Sequence, residues 1–452
     1  MEDRVLRDIL ERAVGPEKAR VAFDAFSLPP SVSIRYNPFK FSSPKGLRGS
    51  DASLRSAPPL ASRRSAPVPP LNVPRVAVSS PTKPFGEEVS EGWGMTPVPW
   101  NEYGFMLQER PKFVLDPLFH AGRYYVQDSS AMIVGHMTRE FLDRFDGLGR
   151  PVRALDLCAA PGGKTTDLSV SLRQRFGDGF LLVANEVMRD RALVLRDNVA
   201  VWGDPNVVVT SADPKAFSKL EGYFDIIVVD APCSGEGMFR KDPRAVEEWS
   251  EENVALCAAR QRRIVADVWP ALRQGGLLVY STCTFEESEN DGNVLWAAEE
   301  LGAEVSGYEY QSLPGVIRTK TGGLLMPGLV EGEGQFVSVL EKTSPSGRTR
   351  QAIDCLHPLR NGLAEGEVKG RDFVPNPDWA LSIFPPLDKY PTVDLDRPTA
   401  LRFLHRDSVF VEGQPQGYLI VCHEGCPLGF VKNIGKRWNN LHPLNRRIRI
   451  DI

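Results

Sequence analysis

The chain predicts an α/β fold built on a mostly parallel sheet, and three stretches carry that expectation. In Phe224 to Val229 five of six residues are aromatic or β-branched, and Asp230, Ala231, Pro232, Cys233, Ser234 and Gly235 follow. That is the composition of a strand buried on both faces, with a loop at its carboxyl end. Val152 to Leu157 is a second strand, followed by the small-residue turn Cys158, Ala159, Ala160, Pro161, Gly162, Gly163 and a helix expected over Lys164 to Arg175. Leu277 to Tyr280 is a third, running into Ser281, Thr282, Cys283 and Thr284. Strand, short turn and helix in alternation build parallel sheets, whose ligands bind beyond the carboxyl ends of the strands.

Composition sets the outer bounds. At 452 residues, 42% hydrophobic and 25% charged, the chain has room for two or three globular domains. No run reaches the roughly 18 uninterrupted apolar residues of a membrane span, and Met1, Glu2, Asp3, Arg4 is not a signal peptide. A cytoplasmic protein without membrane contact is expected. Seven cysteines without framework spacing fit free thiols in a reducing compartment. A net charge of −4 decides nothing about nucleic acid, since a local basic surface binds phosphate under an acidic total.

Taken in order, Glu2 to Phe26 carries apolar residues at helical spacing interrupted by Gly15 and Pro16, so two short helices are expected. Ser31 to Phe39 alternates Val32, Ile34 and Tyr36, a strand of a small α+β module. Arg35 within it is read either as a solvated strand residue or as a phosphate contact. Residues 42–84 turn to Ser, Pro, Ala and Arg, a flexible insertion. Trp93 to Leu107 is aromatic and reads as packing. The N-terminal domain is set at 1–112 and the central domain at 113–342.

In the central domain Tyr124 to Val126 is expected to end a strand at a cap formed by Asp128 and Ser129, with a helix to about Phe145. The turn at 158–163 is neither a GxGxxG motif nor a nucleoside triphosphate loop, because Cys158 stands where that loop needs Gly. Its glycines still admit a ligand to the backbone at a helix N-terminus. Phe180 to Ala184 ends in Asn185 and Glu186, and the latter is placed to accept hydrogen bonds from ribose hydroxyls. A helix over Arg189 to Trp202 and a strand over Asn206 to Thr210 follow, with Ala212 and Asp213 beyond. A helix is expected from Glu251 to Leu272, closed by Gly275 and Gly276, with Cys257 in its core face. Glu286 to Asn290 should begin another helix, and Gln335 to Leu340 a final antiparallel strand.

Cys233 and Cys283 at neighbouring strand ends admit four chemistries: disulfide exchange, metal binding, acyl transfer, or addition to a pyrimidine ring. A reducing cytosol opposes the first. The loops lack further metal ligands, and no His stands between His136 and His357 to serve acyl transfer. Thiolate addition to an electron-poor ring remains, with a sulfonium cofactor as methyl source and its adenosine held by the strand-end acids.

Asp156 to Thr165 (DLCAAPGGKT), Asp230 to Gly235 (DAPCSG) and Ser281 to Thr284 (STCT), in this order, resemble the signatures of the Sun-type RNA cytosine-5 methyltransferase family. SIRYNPF, PVPWNEYGF, YYVQDSSAM and GEGMFRKDP extend the likeness toward its bacterial branch acting on ribosomal RNA. The resemblance implies a Rossmann-like class I methyltransferase core, a mostly parallel seven-stranded sheet with one antiparallel strand. It implies S-adenosylmethionine bound by Cys158, Ala159, Ala160, Pro161, Gly162, Gly163, Lys164, Glu186, Asp213 and Asp230. It also implies Cys283 as the nucleophile on carbon 6 of cytosine, Cys233 as the residue that helps release product, Asp230 on the base edge, and Lys164 beside the ring or its loop. Cys283 precedes an expected helix N-terminus, where thiolate is favoured. Two departures stand out, the insertion before Trp93 and Gly328 in place of a His after Pro327.

Residues 343–371 read as a linker, and 372–452 as a β-rich module with strands expected at Leu401 to Leu404, Ser408 to Val411, Tyr418 to Val421 and Leu428 to Val431. Its end carries Lys432, Lys436, Arg437, Arg446, Arg447 and Arg449 with Trp438 and Asn439, similar to a pseudouridine-synthase-type RNA-binding module. Cys422, His423 and Cys426 lack a second ligand pair, so no metal is expected. The reading is an RNA (cytosine-5)-methyltransferase acting on ribosomal RNA or a small ribosomal subunit as a monomer. The alternatives are a non-catalytic RNA-binding or assembly protein of the same fold, and a transfer RNA methyltransferase.

Overall fold

The computed structural model describes residues 3–40, 94–347, 349 and 351–452. The 42–84 insertion, Met1, Glu2 and Trp93 lie outside them. At the centre is a Rossmann-like sheet in which Leu272–Thr282, Phe224–Asp230, Val152–Asp156, Phe180–Asn185 and Val207–Thr210 are parallel neighbours in that spatial order. Chain order reverses between Val152–Asp156 and Phe224–Asp230. Their two loops therefore leave the sheet at the switch point where such folds bind ligands.

Alternation along Phe224–Asp230 explains its burial. Ile227 and Val229 pack with Ile264, Val265 and Val268 of the helix Glu251–Val268 on one face. Ile226 and Val228 pack with Leu168 and Leu172 of the helix Gly163–Phe176 on the other. Asp225, the charge inside the run, is fully buried and is met by Arg150 at 2.7 Å and Arg273 at 2.8 Å.

Among the described residues the sheet reaches ten strands, beyond the seven expected, through short antiparallel additions. Gln335–Lys342 pairs antiparallel with Leu272–Thr282, and Gly323–Leu325, Ile317–Arg318 and Ala303–Val305 follow on that side. At the other edge Arg360–Asn361, inside the stretch read as a linker, pairs with Val207–Thr210. A two-residue strand has too little pattern to be seen in sequence.

Several boundaries differ from expectation. The helix from Glu251 stops at Val268, where Pro270 forces a turn, and Gly275 and Gly276 lie inside the strand Leu272–Thr282 instead of closing the helix. There Gly275 adopts φ of 73°, and the strand's register against Phe224–Asp230 shifts. The helix expected up to Phe145 is only Ile133–Arg139, flanked by short turns. The helix expected from Glu286 begins at Asp291.

Among the described residues three smaller sheets accompany the central one, the smallest being the antiparallel pair Gly366–Lys369 and Asp372–Pro375. Val32–Tyr36, Asn101–Leu107, Thr96–Val98 and Tyr124–Val126 form an antiparallel sheet, whereas the helices Asp3–Val14 and Pro16–Ala25 bury Ile9, Leu10, Ala19 and Ala22 in the core of the central domain. Tyr124–Val126 thus joins the N-terminal sheet and not the central one. Gly328, at φ of 83°, passes so close to the second helix that a Cβ would lie 2.8 Å from the Val21 carbonyl oxygen, so a His is not accommodated there.

The C-terminal module holds the four-stranded sheet Thr392–Asp394, Gly417–His423, Cys426–Asn433 and Trp438–Asn440. Leu401 to Leu404, expected as a strand, lies in the helix Arg397–His405. Asp396 caps it by accepting from the Thr399 N–H at 3.0 Å, and Ala400, Phe403 and Leu404 are buried at helical spacing. Ser408 to Val411 is not a strand either.

Candidate active site at the carboxyl edge of the sheet

The first half of the site is a cradle around the turn 157–162. Asp156 ends its strand fully buried; the Thr165 hydroxyl donates to one carboxylate oxygen at 2.6 Å, and the other has no partner among the described residues. Burial pushes this carboxyl up to about 7, and the nearby Asp230 acts in the same direction. Carbonyls of the turn are held by side chains from three directions. Arg191 donates to Ala160 at 2.9 Å, and Asn198 and Tyr125 donate to Pro161 at 2.7 and 3.1 Å. Gly162, at φ of 117°, supplies the left-handed turn into the helix at Gly163, whose first N–H groups have no intrahelical partner.

Glu186 sits buried at the end of the neighbouring strand, accepting from the Met188 N–H at 2.9 Å and paired with Arg191 at 3.3 Å. Cys158 is half-buried, and desolvation followed by the charge of Asp156 pushes its thiol up. Asp213 is placed differently: it is exposed and caps its own turn by accepting from the Lys215 N–H at 2.9 Å. Asn185, to which sequence assigned no role, ties these loops together. Its amide donates to the Leu157 and Ala212 carbonyls at 3.1 and 3.0 Å, and its oxygen accepts from the Ala212 N–H at 2.9 Å.

The second half holds the cysteines. Lys164 crosses from the cradle to Asp230, 2.8 Å away, and Ser281 donates to the same carboxylate at 2.8 Å. Burial works against the Lys164 charge, but Asp230 and Cys283 outweigh it and raise its pKa. Cys233 and Cys283 face each other with Sγ atoms 3.2 Å apart, a hydrogen-bond contact between free thiols, and the Cys283 N–H donates to Cys233 at 3.3 Å. The bond to Cys283 and burial push the Cys233 thiol well above its ordinary value. Both causes favour the protonated thiol at Cys233.

Arg35 corrects both readings offered for it. It is fully buried, donating to Gln127 at 2.9 Å, to the Thr166 hydroxyl at 2.5 Å and to the Gly163 carbonyl at 3.2 Å, with its guanidinium over Trp202. A residue of the N-terminal sheet thus braces the first turn of the cradle helix. Elsewhere, Cys257 is buried on its helix, and Cys422 and Cys426 lie in the C-terminal core, with His423 bonded to the Leu395 carbonyl at 2.8 Å. Of the basic C-terminal residues, Lys436, Arg437, Arg447 and Arg449 are exposed, whereas Arg446 pairs with Asp378.

Residues 151–340 match the family model described as 16S rRNA methyltransferase RsmB/F. Residues 75–129 match the N-terminal domain of 16S rRNA methyltransferase RsmF, and residues 390–448 the methyltransferase RsmF PUA domain. The three segments together make up well over half of the chain. The chain belongs to the RsmB/F methyltransferase family. Curated members similar to it include "Ribosomal RNA small subunit methyltransferase F" of Escherichia coli O157:H7, 38% identical over 262 residues, which are 56% of this chain and 52% of that protein. The protein of the same description from Citrobacter koseri is 37% identical over 292 residues, 62% of this chain and 57% of the relative. The chain thus spans little more than half the length of these relatives. A methyltransferase homologue from Pyrococcus horikoshii superposes with a TM-score of 0.53 at 23% identity, covering 74% of this chain and 93% of the other, and shares the fold. Placed on that RsmB/F fold, the cradle and the cysteine pair occupy adjoining loops of one edge.

Proposed function

We propose that this chain methylates carbon 5 of a cytosine in ribosomal RNA, with S-adenosylmethionine as methyl donor and a covalent bond from Cys283 to carbon 6 of the base. The observation that carries the reading is the Cys233–Cys283 pair beside Lys164 and Asp230, at the switch point of the sheet. The cradle fits the cofactor: a helix N-terminus follows a glycine turn, the buried carboxylate of Glu186 is suited to ribose hydroxyls, and Asp156 keeps an unpartnered buried oxygen. S-adenosylmethionine, when bound, supplies a methyl group made electrophilic by its sulfonium.

The side chains divide the remaining work. Cys283 attacks as thiolate, its charge favoured by Lys164; the bond to carbon 6 places electron density on carbon 5. Asp230, held by Lys164 and Ser281, offers a carboxylate to the polar edge of the base. The carbon 5 proton passes to solvent and the electron pair it leaves expels the Cys283 sulfur; the Cys233 S–H, in hydrogen-bond reach of that sulfur, assists breaking of the S–C bond. Around this centre, the N-terminal sheet and the exposed Lys436, Arg437, Arg447 and Arg449 of the C-terminal module engage the RNA backbone.

The test is methylation of ribosomal RNA, free and in small subunits, with labelled S-adenosylmethionine and bisulfite sequencing of the product. A single new 5-methylcytosine that disappears with Cys283→Ala is expected. Absence of cofactor binding would favour a non-catalytic RNA-binding role.

A further inference from the structure

Ser234 and Thr284, the residues that follow the two cysteines, are joined through their hydroxyls at 3.0 Å. Two buried carboxyl groups stand against the same Ser234 oxygen: Glu236 at 2.8 Å, and Glu289 in a still closer contact. A hydroxyl has one proton and cannot donate to both. Glu236 is committed as an acceptor, because the Trp249 indole N–H donates to the same oxygen at 2.5 Å. Thr284 accepts from the Glu286 N–H at 3.0 Å, which leaves its own proton for Ser234. The count closes when Ser234 donates to Glu236, accepts from Thr284, and accepts from a Glu289 that carries its own proton.

The rest of Glu289 is consistent with a neutral acid. Its second oxygen accepts from the Ser234 N–H at 3.2 Å and from Gln261 at 2.6 Å, and Gln261 also donates to the Pro232 carbonyl at 3.0 Å. The titratable groups facing it are Glu236 and Cys233 from the loop, Cys257 from the helix Glu251–Val268, and Tyr280 from the strand. None is a cation, and among the described residues Glu289 has no ion pair. Burial pushes its carboxyl up to about 7, with Glu236 adding to the shift.

We propose that Glu289 is a positioning residue whose carboxylic acid form clamps the two cysteine loops together, and that methyl transfer requires this protonated form. The clamp is a statement about the thiols; its link to methylation rests on the function proposed above. When the proton leaves, two carboxylates share one hydroxyl proton, and Ser234 can no longer hold both loops.

Full-length Glu289→Gln and Glu289→Ala proteins test this with two readouts. Gln keeps an N–H donor for Ser234 and a carbonyl for Gln261 at every pH, whereas Ala removes both. The first readout is alkylation of Cys233 and Cys283 by iodoacetamide, followed by mass spectrometry, which needs neither RNA nor cofactor. Below about pH 7, loss of a buried hydrogen bond should make Cys233 about tenfold more reactive in Glu289→Ala, with Glu289→Gln restoring wild-type reactivity to within about twofold. Above that pH the wild type should approach the Ala variant while the Gln variant does not. The second readout is the single-turnover methylation rate against pH. The wild type should lose rate on the alkaline side, and Glu289→Gln should keep it. If Gln behaves like Ala in the acid range, or if wild type and Gln share one pH profile in alkylation, the clamp is wrong. If alkylation follows the expected pattern while no RNA is methylated, the clamp stands and the proposed function falls.

Discussion

The two halves of the sheet edge are held by different means. The cradle at 157–163 is braced from a distance: Arg35 and Tyr125 reach it from the N-terminal sheet, and Arg191 and Asn198 from the following helix. The cysteine half closes on itself, since Ser234, Glu236, Gln261, Thr284 and Glu289 bond to one another within the central domain. Lys164 belongs to both, rooted in the cradle helix and paired with Asp230. Damage to the cysteine half should therefore stop chemistry outright, and damage to the cradle braces should weaken cofactor binding first.

The largest effects should come from the cysteines. Cys283→Ala is expected to abolish methyl transfer, and Cys233→Ala to permit attack but leave RNA covalently attached, visible as a denaturant-resistant shift on a gel. A trapped species that forms without Cys283 and needs Cys233 would exchange the two roles. Next is the bridge between the halves. Lys164→Met leaves Asp230 without its cation and removes a positive charge that acts on Cys283, so kcat should fall by about a hundredfold. A change confined to the KM for cofactor would move Lys164 wholly into the cradle.

The same contrast explains what the sequence made legible. The cysteine loops and the glycine turn are local signals: each follows a strand whose pattern is strong, so Asp230, Cys233, Cys283 and the 158–163 turn could be located without coordinates. Braces are not local. Arg35 lies in an alternating strand where a charge normally faces water, and only the stacking of that sheet on Trp202 and the cradle helix makes it internal. Glu289 lies in the acidic stretch Glu286 to Asn290 whose composition suggests a helix start, yet the helix begins at Asp291 and the Glu289 carboxyl turns into the core. Leu401 to Leu404 illustrates the reverse error, in which four apolar-rich residues suggest a strand although Asp396 and Pro398 upstream specify a helix.

A moderate effect should separate the braces from the chemistry. Arg35→Lys keeps the charge but cannot reach Gln127, Thr166 and the Gly163 carbonyl together. Affinity for S-adenosylmethionine, measured by calorimetry, should drop by about tenfold, the scale of one buried charged hydrogen bond, while the KM for RNA stays near wild type. An equal loss in both would mean that Arg35 sets the position of the whole N-terminal sheet.

The smallest effect is on stability, and it too divides along the edge, because Asp156 in the cradle and Glu289 beside the cysteines are both raised to about 7, from ordinary values of 3.8 and 4.5. A carboxyl whose folded value exceeds its unfolded one binds more protons when folded. Its contribution is fully present below the unfolded value and is lost as pH rises through about 7. His442 opposes this, since burial lowers it from 6.5 to about 4 and its contribution disappears as pH falls toward that value. The informative quantity is therefore the difference in melting temperature between variant and wild type. Asp156→Asn keeps the polar contact with Thr165 but removes the proton, so its melting temperature relative to wild type should rise between about pH 4 and pH 7 and level off above. Glu289→Gln should do the same independently, because the two groups sit in separate networks. A slope in the double variant that differs from the sum of the two single ones would show that the halves of the edge titrate as one unit.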